Sequence, residues 1–361
     1  MDNRCTCPFC REGKYNSEDY YVDMSFLKKE RPVGVSGLLR VKNDAEFLSD
    51  CMESCIDALD ELIICYQDCT DNAPEIILEK QQKYPDKIRV YYYAPPVFCH
   101  GLTEEAKKNV FSLPDSSIHK LCNYYNYTLS KSTYRYVMKI DSDQIYFTDK
   151  LKRYCDAYRE KNKVTISSGD YFAKYYKDFY IRLMIKYPVL HSFDLFSKIP
   201  YIRHLIIRKY EKYVIKEVIN NKYAVSMSGI NIGYEQGNLK ICRLDHLLFN
   251  GEADHLIFCI TEDTFYTTFT GYKNPIEIMR YNKRILPGGW FWYHLQCMKV
   301  SSSQKTKEWI TLTLKFKWNI ISDLSYFRKQ MWLFFGVYER NIPGPEQLLK
   351  ETVRNMRKRK S

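Results

Sequence analysis

The chain has 361 residues with a formal net charge of +12 at pH 7, and 32 of its residues are tyrosines. A hydrophobic fraction of 45% excludes a disordered chain and predicts one large folded domain or two smaller ones. The positive charge favours an anionic partner, such as nucleotide phosphates or anionic lipid. Nucleic acid is disfavoured, because the sequence has no zinc-finger array, RNA-binding signature or arginine-rich helix.

Thirteen cysteines are scattered through apolar segments of the chain. The sequence starts without an apolar signal region and has no run of transmembrane length, so we expect reduced thiols in a cytoplasmic protein. Cys5, Cys7 and Cys10 have a spacing that would supply three thiolates to a tetrahedral zinc ion. No second cluster with matching spacing follows, which favours ordinary free cysteines in a terminal arm.

Residues 1–32 are polar and rich in tyrosine, and predict an arm that packs on the main domain. After this arm, short apolar runs alternate with segments whose apolar residues recur at helical spacing. In chain order these segments are a strand at 33–40, a helix at 44–59, a strand at 61–65, a helix at 74–84 and a strand at 88–93. The alternation is typical of an α/β fold with a mostly parallel sheet and crossover helices.

A further apolar run lies at 136–140 (YVMKI), and two carboxylates, Asp141 and Asp143, follow directly after its end. Two carboxylates at this spacing can hold one hard divalent cation through oxygen ligands. Ligands of parallel sheets bind at the carboxyl ends of the strands. We therefore expect one site formed by the loops that follow the strands, at 40–44, 66–72 and 141–144.

Two later parts of the chain combine basic and aromatic side chains. Residues 170–224 predict a helical insertion, and residues 301–361 predict a helical extension with a basic end, whereas the segment between them predicts more strands. In the insertion, apolar and basic residues recur at helical spacing: Ile206, Tyr210, Tyr213 and Val214 beside Arg208, Lys209, Lys212 and Lys216. Such helices either pack on a core with a solvated basic face or contact an anionic membrane surface.

Four segments, in this order, carry a resemblance to a known family: 37–44 (GLLRVKND), 60–64 (DELII), 66–72 (YQDCTDN) and 139–143 (KIDSD). They resemble the nucleotide-sugar glycosyltransferases of the GT-A fold and are most similar to the inverting family 2. The resemblance covers about residues 33–300 and implies a Rossmann-like, mostly parallel central sheet flanked by helices. It leaves the insertion and the extension unexplained.

The resemblance implies that the ends of the strands bind the nucleotide. The implied nucleotide-binding residues are Leu39, Arg40, Lys42, Asn43, Asp68, Asp71 and Asp141. The second loop of the family usually offers paired acidic residues to the base and the ribose. In this chain Gln67 replaces the first of the two carboxylates, which leaves the identity of the nucleobase open.

The resemblance also implies a divalent metal site for Mn²⁺ or Mg²⁺. Asp141 and Asp143 match the metal motif, with Asp143 as the direct ligand. His294 follows the run at 288–293 (GGWFWY), where GT-A enzymes often place a third ligand, and an imidazole would favour Mn²⁺. The alternative for His294 is a side chain that ends an aromatic core strand. The cation would neutralise charge that grows on the leaving diphosphate.

An inverting transferase also needs a base that deprotonates the acceptor hydroxyl. In the family this base is often the Asp of a Glu-Asp pair downstream of the metal motif. Asp263 is therefore the first choice, with Glu262 as its neighbour. Asp254 and Asp245 are rival candidates in the same part of the chain.

Together these features predict a metal-dependent glycosyltransferase that moves a hexose from a nucleotide-sugar, UDP-sugar first, to a saccharide or glycolipid acceptor. A cytoplasmic enzyme that touches a membrane peripherally would suit a lipid-linked glycan such as a bacterial polysaccharide or lipooligosaccharide. One alternative is a nucleotidyltransferase on a similar sheet, although residues 40–43 lack the glycines of a triphosphate-binding loop. The other is a non-catalytic module that binds an anionic ligand or a membrane.

Overall fold

A computed structural model describes most of the chain. The described residues are 10, 15–186, 200–235, 238–244, 249–251, 255–271, 273–299 and 307–311. Four residues singled out from the sequence lie outside the described residues: Cys5, Cys7, Asp245 and Asp254.

The strands follow in this order: β1 Val35–Val41, β2 Glu61–Tyr66, β3 Ile88–Tyr92, β4 Tyr136–Ile140, β5 Gln144–Tyr146, β6 Ala224–Glu235, β7 Asn238–Leu244, β8 Phe249–Asn250, β9 Leu256–Cys259, β10 Phe265–Thr268, β11 Glu277–Arg280, β12 Ile285–His294 and β13 Lys307–Thr311. The helices are α1 Ala45–Cys55, α2 Ala73–Lys83, α3 Glu104–Ser112, α4 Leu121–Ser130, α5 Thr148–Arg159, α6 Ser168–Lys186 and α7 Pro200–Asn221. Short 3₁₀ helices lie at Ser17–Tyr20, Met24–Lys28, Ile56–Ala58 and Gln296–Met298.

The chain divides into two compact units. The first unit contains Met1–Met52, Leu59–Ser142 and Ile257–Arg284, and the second contains Glu53–Ala58, Asp143–Leu256 and Ile285–Ser361. One division falls between Ser142 and Asp143, so the two carboxylates of the predicted metal motif belong to different units. The domain limits at 32 and 300 stay a prediction.

The first unit is built on parallel strands. β1 pairs in parallel with both β2 and β4, and β3 continues the sheet beside β2. β9 runs antiparallel to β4 on its other side. The apolar runs of β1, β2 and β4 are buried almost throughout, as expected for parallel strands covered on both faces. The predicted α/β class with a mostly parallel sheet and flanking helices is confirmed.

The second unit is organised around β12. This strand pairs in parallel with β6 and antiparallel with β5, and β7 and β13 extend the sheet from β6 in antiparallel pairing. Trp290, Phe291 and Trp292 of β12 are fully buried. Trp292 packs so closely on β6 that a Cβ on Gly229 would lie 1.9 Å from its Nε1 atom. The absence of a side chain at Gly229 is therefore required by the packing of Trp292.

The predicted insertion is helical and consists of α6 and α7. The face of α6 that packs inward is polar: Asp170 is buried and its carboxylate accepts a hydrogen bond of 2.7 Å from Lys216 of α7. Lys177, also buried, donates to the hydroxyl of Tyr210 at 3.2 Å. The opposite face of α6 carries exposed aromatic rings, at Phe172, Tyr175 and Phe179. Within 168–179, α6 thus buries two charged side chains beside Ala173 and exposes aromatic rings, unlike an ordinary surface helix.

Three further predictions can be compared with the described residues. The N-terminal arm packs on its unit as expected, with the ring of Tyr20 against Tyr93 and Tyr127. The prediction of helix after residue 301 is wrong for Lys307–Thr311, because this segment pairs with β7 as a strand. The expectation of reduced thiols is wrong for Cys242 and Cys297, which form a disulfide.

Among the described residues, no helix combines the length and the apolar composition that crossing a membrane requires.

Candidate active site

The two loops after β1 and β2 meet, as the sequence predicts. The side-chain oxygen of Asn43, whose φ is 55°, accepts a hydrogen bond of 2.7 Å from the amide of Thr70. The carboxylate of Asp71 accepts from the amides of Ala45 and Ala73, which begin α1 and α2. Asp71 was implied as a nucleotide ligand, but its oxygens instead satisfy helix-start amides that have no partner within their helices.

The other implied nucleotide-binding residues of these loops differ in exposure. Leu39 is fully buried within β1, so its side chain cannot reach a nucleotide. Lys42 and Asp68 are exposed. The hydroxyl of Tyr92 donates to Asp68, and this hydrogen bond raises the pKa of Tyr92 to about 12. Lys42 and Asp68 are therefore exposed to solvent, whereas the side chain of Leu39 is not.

Gln67, the departure from the family pattern, has a structural reason. Its side chain is buried, and its amide nitrogen donates a hydrogen bond of 3.0 Å to the carbonyl oxygen of Pro95. A carboxylate cannot donate this bond and would face the carbonyl oxygen with like charge. An amide is therefore the side chain that this position requires.

Arg40 links the end of β1 to the first carboxylate of the motif. Its guanidinium is buried, lies 3.6 Å from the ring centroid of Tyr125, and approaches Asp141 to 3.9 Å. Burial alone would lower the pKa of Arg40, but the nearby Tyr125, Tyr266 and Asp141 raise it overall. The side chain therefore stays charged next to Asp141, which is itself partly exposed.

Tyr125 is a residue that the sequence analysis did not select. It lies on α4 beside two cations, because Lys139 approaches its ring to 5.0 Å in addition to Arg40. Lys139 in turn pairs with Glu277 at 3.1 Å, and both side chains are buried. Nothing in the sequence around Tyr125 signals a contact with charged groups, because Arg40 and Lys139 reach its ring from other elements of the fold.

In the second unit, the structure brings Asp143 and His294 together. The Nε2 atom of His294 lies 3.5 Å from Oδ1 of Asp143, and both side chains are buried. The Nδ1 atom of His294 lies 2.6 Å from the side-chain oxygen of Asn231, which can only accept a hydrogen bond. Nδ1 therefore donates to Asn231, and Nε2 is the ring nitrogen that faces Asp143.

This arrangement fits a divalent cation. Metal-binding histidines commonly donate their other ring N–H to an oxygen acceptor, as His294 does to Asn231. Neighbouring ligands of an octahedral Mg²⁺ or Mn²⁺ would lie about 3 Å apart, close to the observed separation. The described residues contain no cluster of three or more His, Cys, Asp or Glu side chains that could hold a metal. Asp143 and His294 could supply two ligands of such an ion.

Lys299 is a second residue that the sequence analysis missed. Its ammonium lies 3.0 Å from Oδ2 of Asp143 and compensates for the buried negative charge. No sequence motif predicts this contact. Lys299 follows the 3₁₀ turn after β12, and only the folded turn brings it to Asp143. The amide of Leu295 donates to the carbonyl oxygen of Asp143 at 2.8 Å and holds the turn against the motif.

Behind Asp143 lies a buried polar network. Gln144 pairs with His294 in the register of β5 and β12, and its amide nitrogen lies 2.9 Å from Nε2 of His255. The amide nitrogen of Gln144 also donates to Asn250 at 3.1 Å, and Asn250 accepts from Trp292. These hydrogen bonds hold the side chain of Gln144 in place. They reach as far as His255, which directly precedes β9.

The structure does not bring Asp263 and Asp141 together. Cys259 pairs with Tyr136 at the amino end of β4, and Asp263 follows in the turn beyond it, bonded to Asn282 at 2.9 Å. Asp141 follows the other end of β4, about 15 Å away along the strand. Glu262 is exposed in the same turn as Asp263. The sequence could not reveal this separation, because the direction of β9 relative to β4 is a tertiary feature.

A family model for beta-1,4-N-acetylgalactosaminyltransferase (CgtA) matches residues 12–223, which is more than half of the chain. The chain belongs to this family. It is therefore a glycosyltransferase, as predicted, and the alternatives of a nucleotidyltransferase and a non-catalytic module are set aside. The match includes α6 and α7, so the predicted insertion lies within the family's sequence even though the resemblance by motifs left it unexplained.

Comparison with curated proteins gives no match. Among solved structures, glucosyl-3-phosphoglycerate synthase from Mycobacterium tuberculosis in complex with Mn²⁺, UDP and phosphoglyceric acid is 20% identical, with a TM-score of 0.21. The match covers 34% of this chain and 36% of that one. TarS from S. aureus is 15% identical with a TM-score of 0.23, over 34% of this chain and 32% of that one. Similarities this low do not extend the family assignment.

Replacing Gln67 by Glu tests whether the amide at this position is structural. The change restores the carboxylate of the family pattern but removes the donor to Pro95 and buries a charge. We expect the free energy of unfolding to fall by about 1–3 kcal/mol. Urea unfolding at neutral pH measures this, with Gln82→Glu on the exposed side of α2 as the control for the same chemical change. Equal stability of the two variants would contradict the structural role.

Proposed function

We propose that the protein transfers N-acetylgalactosamine from a UDP-sugar to a saccharide acceptor, with a divalent metal ion bound at Asp143 and His294. Membership of the beta-1,4-N-acetylgalactosaminyltransferase family supports the choice of this sugar and of a β-1,4 linkage. The observation that carries the metal site is the buried pair of Asp143 and His294, with Nδ1 of His294 bonded to Asn231.

The chemistry of the site follows from the charges of its groups. A bound Mn²⁺ or Mg²⁺ would neutralise the negative charge that develops on the diphosphate as the sugar leaves. Asn231 holds the imidazole of His294 so that Nε2 is available as a ligand, and Asp143 supplies an anionic oxygen. The ammonium of Lys299, which pairs with Asp143 in the structure, would then be available to a phosphate oxygen.

The first unit, taken by itself, offers polar groups of its own to a nucleotide. Lys42 and Asp68 have exposed polar groups at the ends of β1 and β2. We propose that Asp68 binds the nucleoside and Lys42 a phosphate. Asp141, kept beside the charged Arg40, is proposed near the ribose and phosphates. Asp71 has no place in this scheme, because its oxygens accept from the backbone.

Loss of the bond that orients His294 tests the metal site. Asn231→Ala removes the acceptor of the Nδ1 proton, so we expect Mn²⁺-dependent binding of UDP to weaken about 10–100-fold. Isothermal titration calorimetry with UDP, in Mn²⁺ or in chelator, measures the change. Asn282→Ala, which removes an exposed amide bonded to Asp263, is the control. Tight UDP binding that does not depend on the cation would rule out the metal site.

Formation of a β-1,4 linkage from an α-linked UDP-sugar requires inversion at the anomeric carbon, and therefore a base for the acceptor hydroxyl. Among the predicted acids we favour Asp254. Ile257, three residues later, pairs with Met138 on the half of β4 that leads to Asp141. His255, the next residue, bonds to Gln144 beside Asp143. These contacts of Ile257 and His255 support Asp254, because it is the acidic residue next to them in the chain.

Two matched substitutions separate the candidates for the base. Asp254→Asn should lower kcat by about 10²–10⁴-fold while donor binding is retained, because only the proton acceptor is lost. Asp263→Asn should retain turnover, since Asp263 follows the other end of β4. Transfer assays with UDP-N-acetylgalactosamine measure kcat, and calorimetry measures donor binding. The opposite result, with only Asp263→Asn inactive, would return the role to the residue first chosen from sequence.

We further propose that the acceptor is carried on lipid and that α6 contacts an anionic lipid surface. Phe172, Tyr175 and Phe179 are exposed by 61–62% and lie three and four residues apart, on one stripe of the helix. At about 200 Å² per ring, their exposed area is roughly 400 Å². An apolar patch of this size on a surface is commonly an interaction site.

The charges around the stripe favour lipid as the occupant. Arg182 is exposed one turn beyond Phe179, and Lys174 lies 4.1 Å from the ring of Tyr175. The acidic Asp178 is paired with Lys174 at 3.2 Å. Aromatic rings flanked by basic groups suit the boundary of an anionic bilayer. A second copy of the chain would need about 800 Å² per partner, twice the area of this patch.

Vesicle flotation of the full chain tests this contact. The triple variant Phe172→Ser, Tyr175→Ser and Phe179→Ser should lose at least about tenfold in partition onto phosphatidylglycerol-containing vesicles, because the inserted rings are removed. Leu78→Ser with Ile278→Ser, two residues exposed by 52% and 42%, is the control. Unchanged partition of the triple variant would exclude α6 as the lipid contact. A dimer that dissociates only in the triple variant would assign the stripe to self-association.

A further inference from the structure

The disulfide between Cys242 and Cys297 is a feature that the proposed transferase chemistry does not use. It joins β7 to the 3₁₀ turn Gln296–Met298, and 55 residues separate its two cysteines in the chain. Both cysteines belong to the second unit, and both are buried. Every other cysteine of the described residues is a free thiol, so this bond is a specific cross-link of the second unit.

The segment that carries Cys297 also contacts Asp143. The ammonium of Lys299, two residues after Cys297, lies 3.0 Å from Oδ2 of Asp143. Two residues before Cys297, the amide of Leu295 donates to the carbonyl oxygen of Asp143 at 2.8 Å. His294 directly precedes this segment, and its Nε2 atom lies 3.5 Å from Oδ1 of Asp143. A displacement of the turn would therefore alter all three contacts.

Hydrogen bonds within the turn determine its shape. The amide of Met298 donates to the carbonyl oxygen of Leu295 at 2.8 Å, and the amide of Lys299 donates to that of Gln296 at 3.2 Å. Both bonds join residues of the same short segment, so they do not attach the turn to the sheet. The disulfide makes such an attachment, because Cys242 lies within β7.

The strand at the other end of the disulfide is held on both sides. β7 pairs with β6, where Ile241 lies opposite Ile232, and with β13, where Cys242 lies opposite Trp309. β6 also carries Asn231, which accepts the hydrogen bond from His294. The imidazole is thus bonded to β6, and the turn that follows it is bonded covalently to the strand beside β6. A cross-link of this kind restricts the positions that the turn can adopt.

We propose that the disulfide is a positioning element of the active site: it holds Lys299 and Leu295 against Asp143, and its reduction weakens the binding of UDP with Mn²⁺. The inference rests on the proposed metal site at Asp143 and His294. In the reduction, a dithiol gives two electrons and two protons to the two sulfurs, the bond between them breaks, and the dithiol becomes a disulfide itself. Sugar transfer involves neither sulfur, so the bond acts only through the position of the turn.

Reduction of the full chain tests the proposal. Wild-type protein treated with dithiothreitol, which is then removed, should show two additional thiols per chain when denatured. Calorimetry should show that its Mn²⁺-dependent affinity for UDP has fallen about tenfold, because groups that surround a metal ligand are no longer held in place. Reoxidation should restore the affinity.

Two variants serve as matched controls for this treatment. The double variant Cys242→Ala and Cys297→Ala should bind UDP as weakly as the reduced wild-type protein, and dithiothreitol should not change its affinity. Cys259→Ser, which replaces a free thiol of the first unit, should respond to dithiothreitol as the wild-type protein does.

The rate of reduction gives a second measurement that needs no variant. Both sulfurs are buried, so the turn must open before dithiothreitol reaches them. A ligand that binds only the closed turn protects the bond. With Mn²⁺ present, UDP at ten times its dissociation constant should therefore slow reduction about tenfold relative to Mn²⁺ alone.

The outcomes separate the disulfide from the metal site. Equal UDP binding before and after complete reduction would overturn the inference and leave the metal site intact, and a reduction rate that UDP does not change would count equally against it. Loss of UDP binding together with loss of the far-ultraviolet circular dichroism would also overturn it, since the bond would then stabilise only the fold. Oxidised wild-type protein that binds UDP without any need for Mn²⁺ would refute the metal site, and the inference with it.

Discussion

The register of β5, β6 and β12 determines which side chains surround His294 in the second unit. His294 of β12 lies opposite Asn231 of β6 on one side and Gln144 of β5 on the other. Two irregularities in β12, near Gly289 and Trp292, set this alignment. Because a shift by one residue would turn every side chain of a strand to the other face, His294 meets both Asn231 and Asp143 only in this register. The bulged, aromatic strand is thus the element that orients the imidazole.

The first unit contains buried charged side chains. Arg40 and Lys139 share the ring of Tyr125, and Glu277 balances Lys139 directly. Removing one member of such a buried set leaves an uncompensated charge, which costs far more than the pair contributes. Arg40 and Lys139 are therefore held in fixed positions near Asp141.

The sequence predicted the parts of this protein that depend on local pattern. Alternating apolar runs predicted β1 to β4 and the helices between them. The motif at 141–143 and the distant histidine predicted that Asp143 and His294 lie close together. The separation of Asp263 from Asp141 and the burial of Leu39 could not be predicted from pattern, because the direction of β9 and the burial of a strand end are tertiary properties. Lys299 and Asn231 were missed for the same reason: their roles come from strand register and a turn, which no spacing in the sequence records.

The contact between Gly229 and Trp292 has a consequence for how the family can vary. A side chain at position 229 would occupy the place of the indole, and the indole in turn donates to Asn250 in the network behind Asp143. Positions 229 and 292 must therefore change together during evolution, with a larger residue at the first permitted only when the second becomes smaller. A relative without a tryptophan at position 292 would also need another hydrogen-bond donor to Asn250. We therefore expect substitutions at positions 229 and 292 to occur together among members of the family.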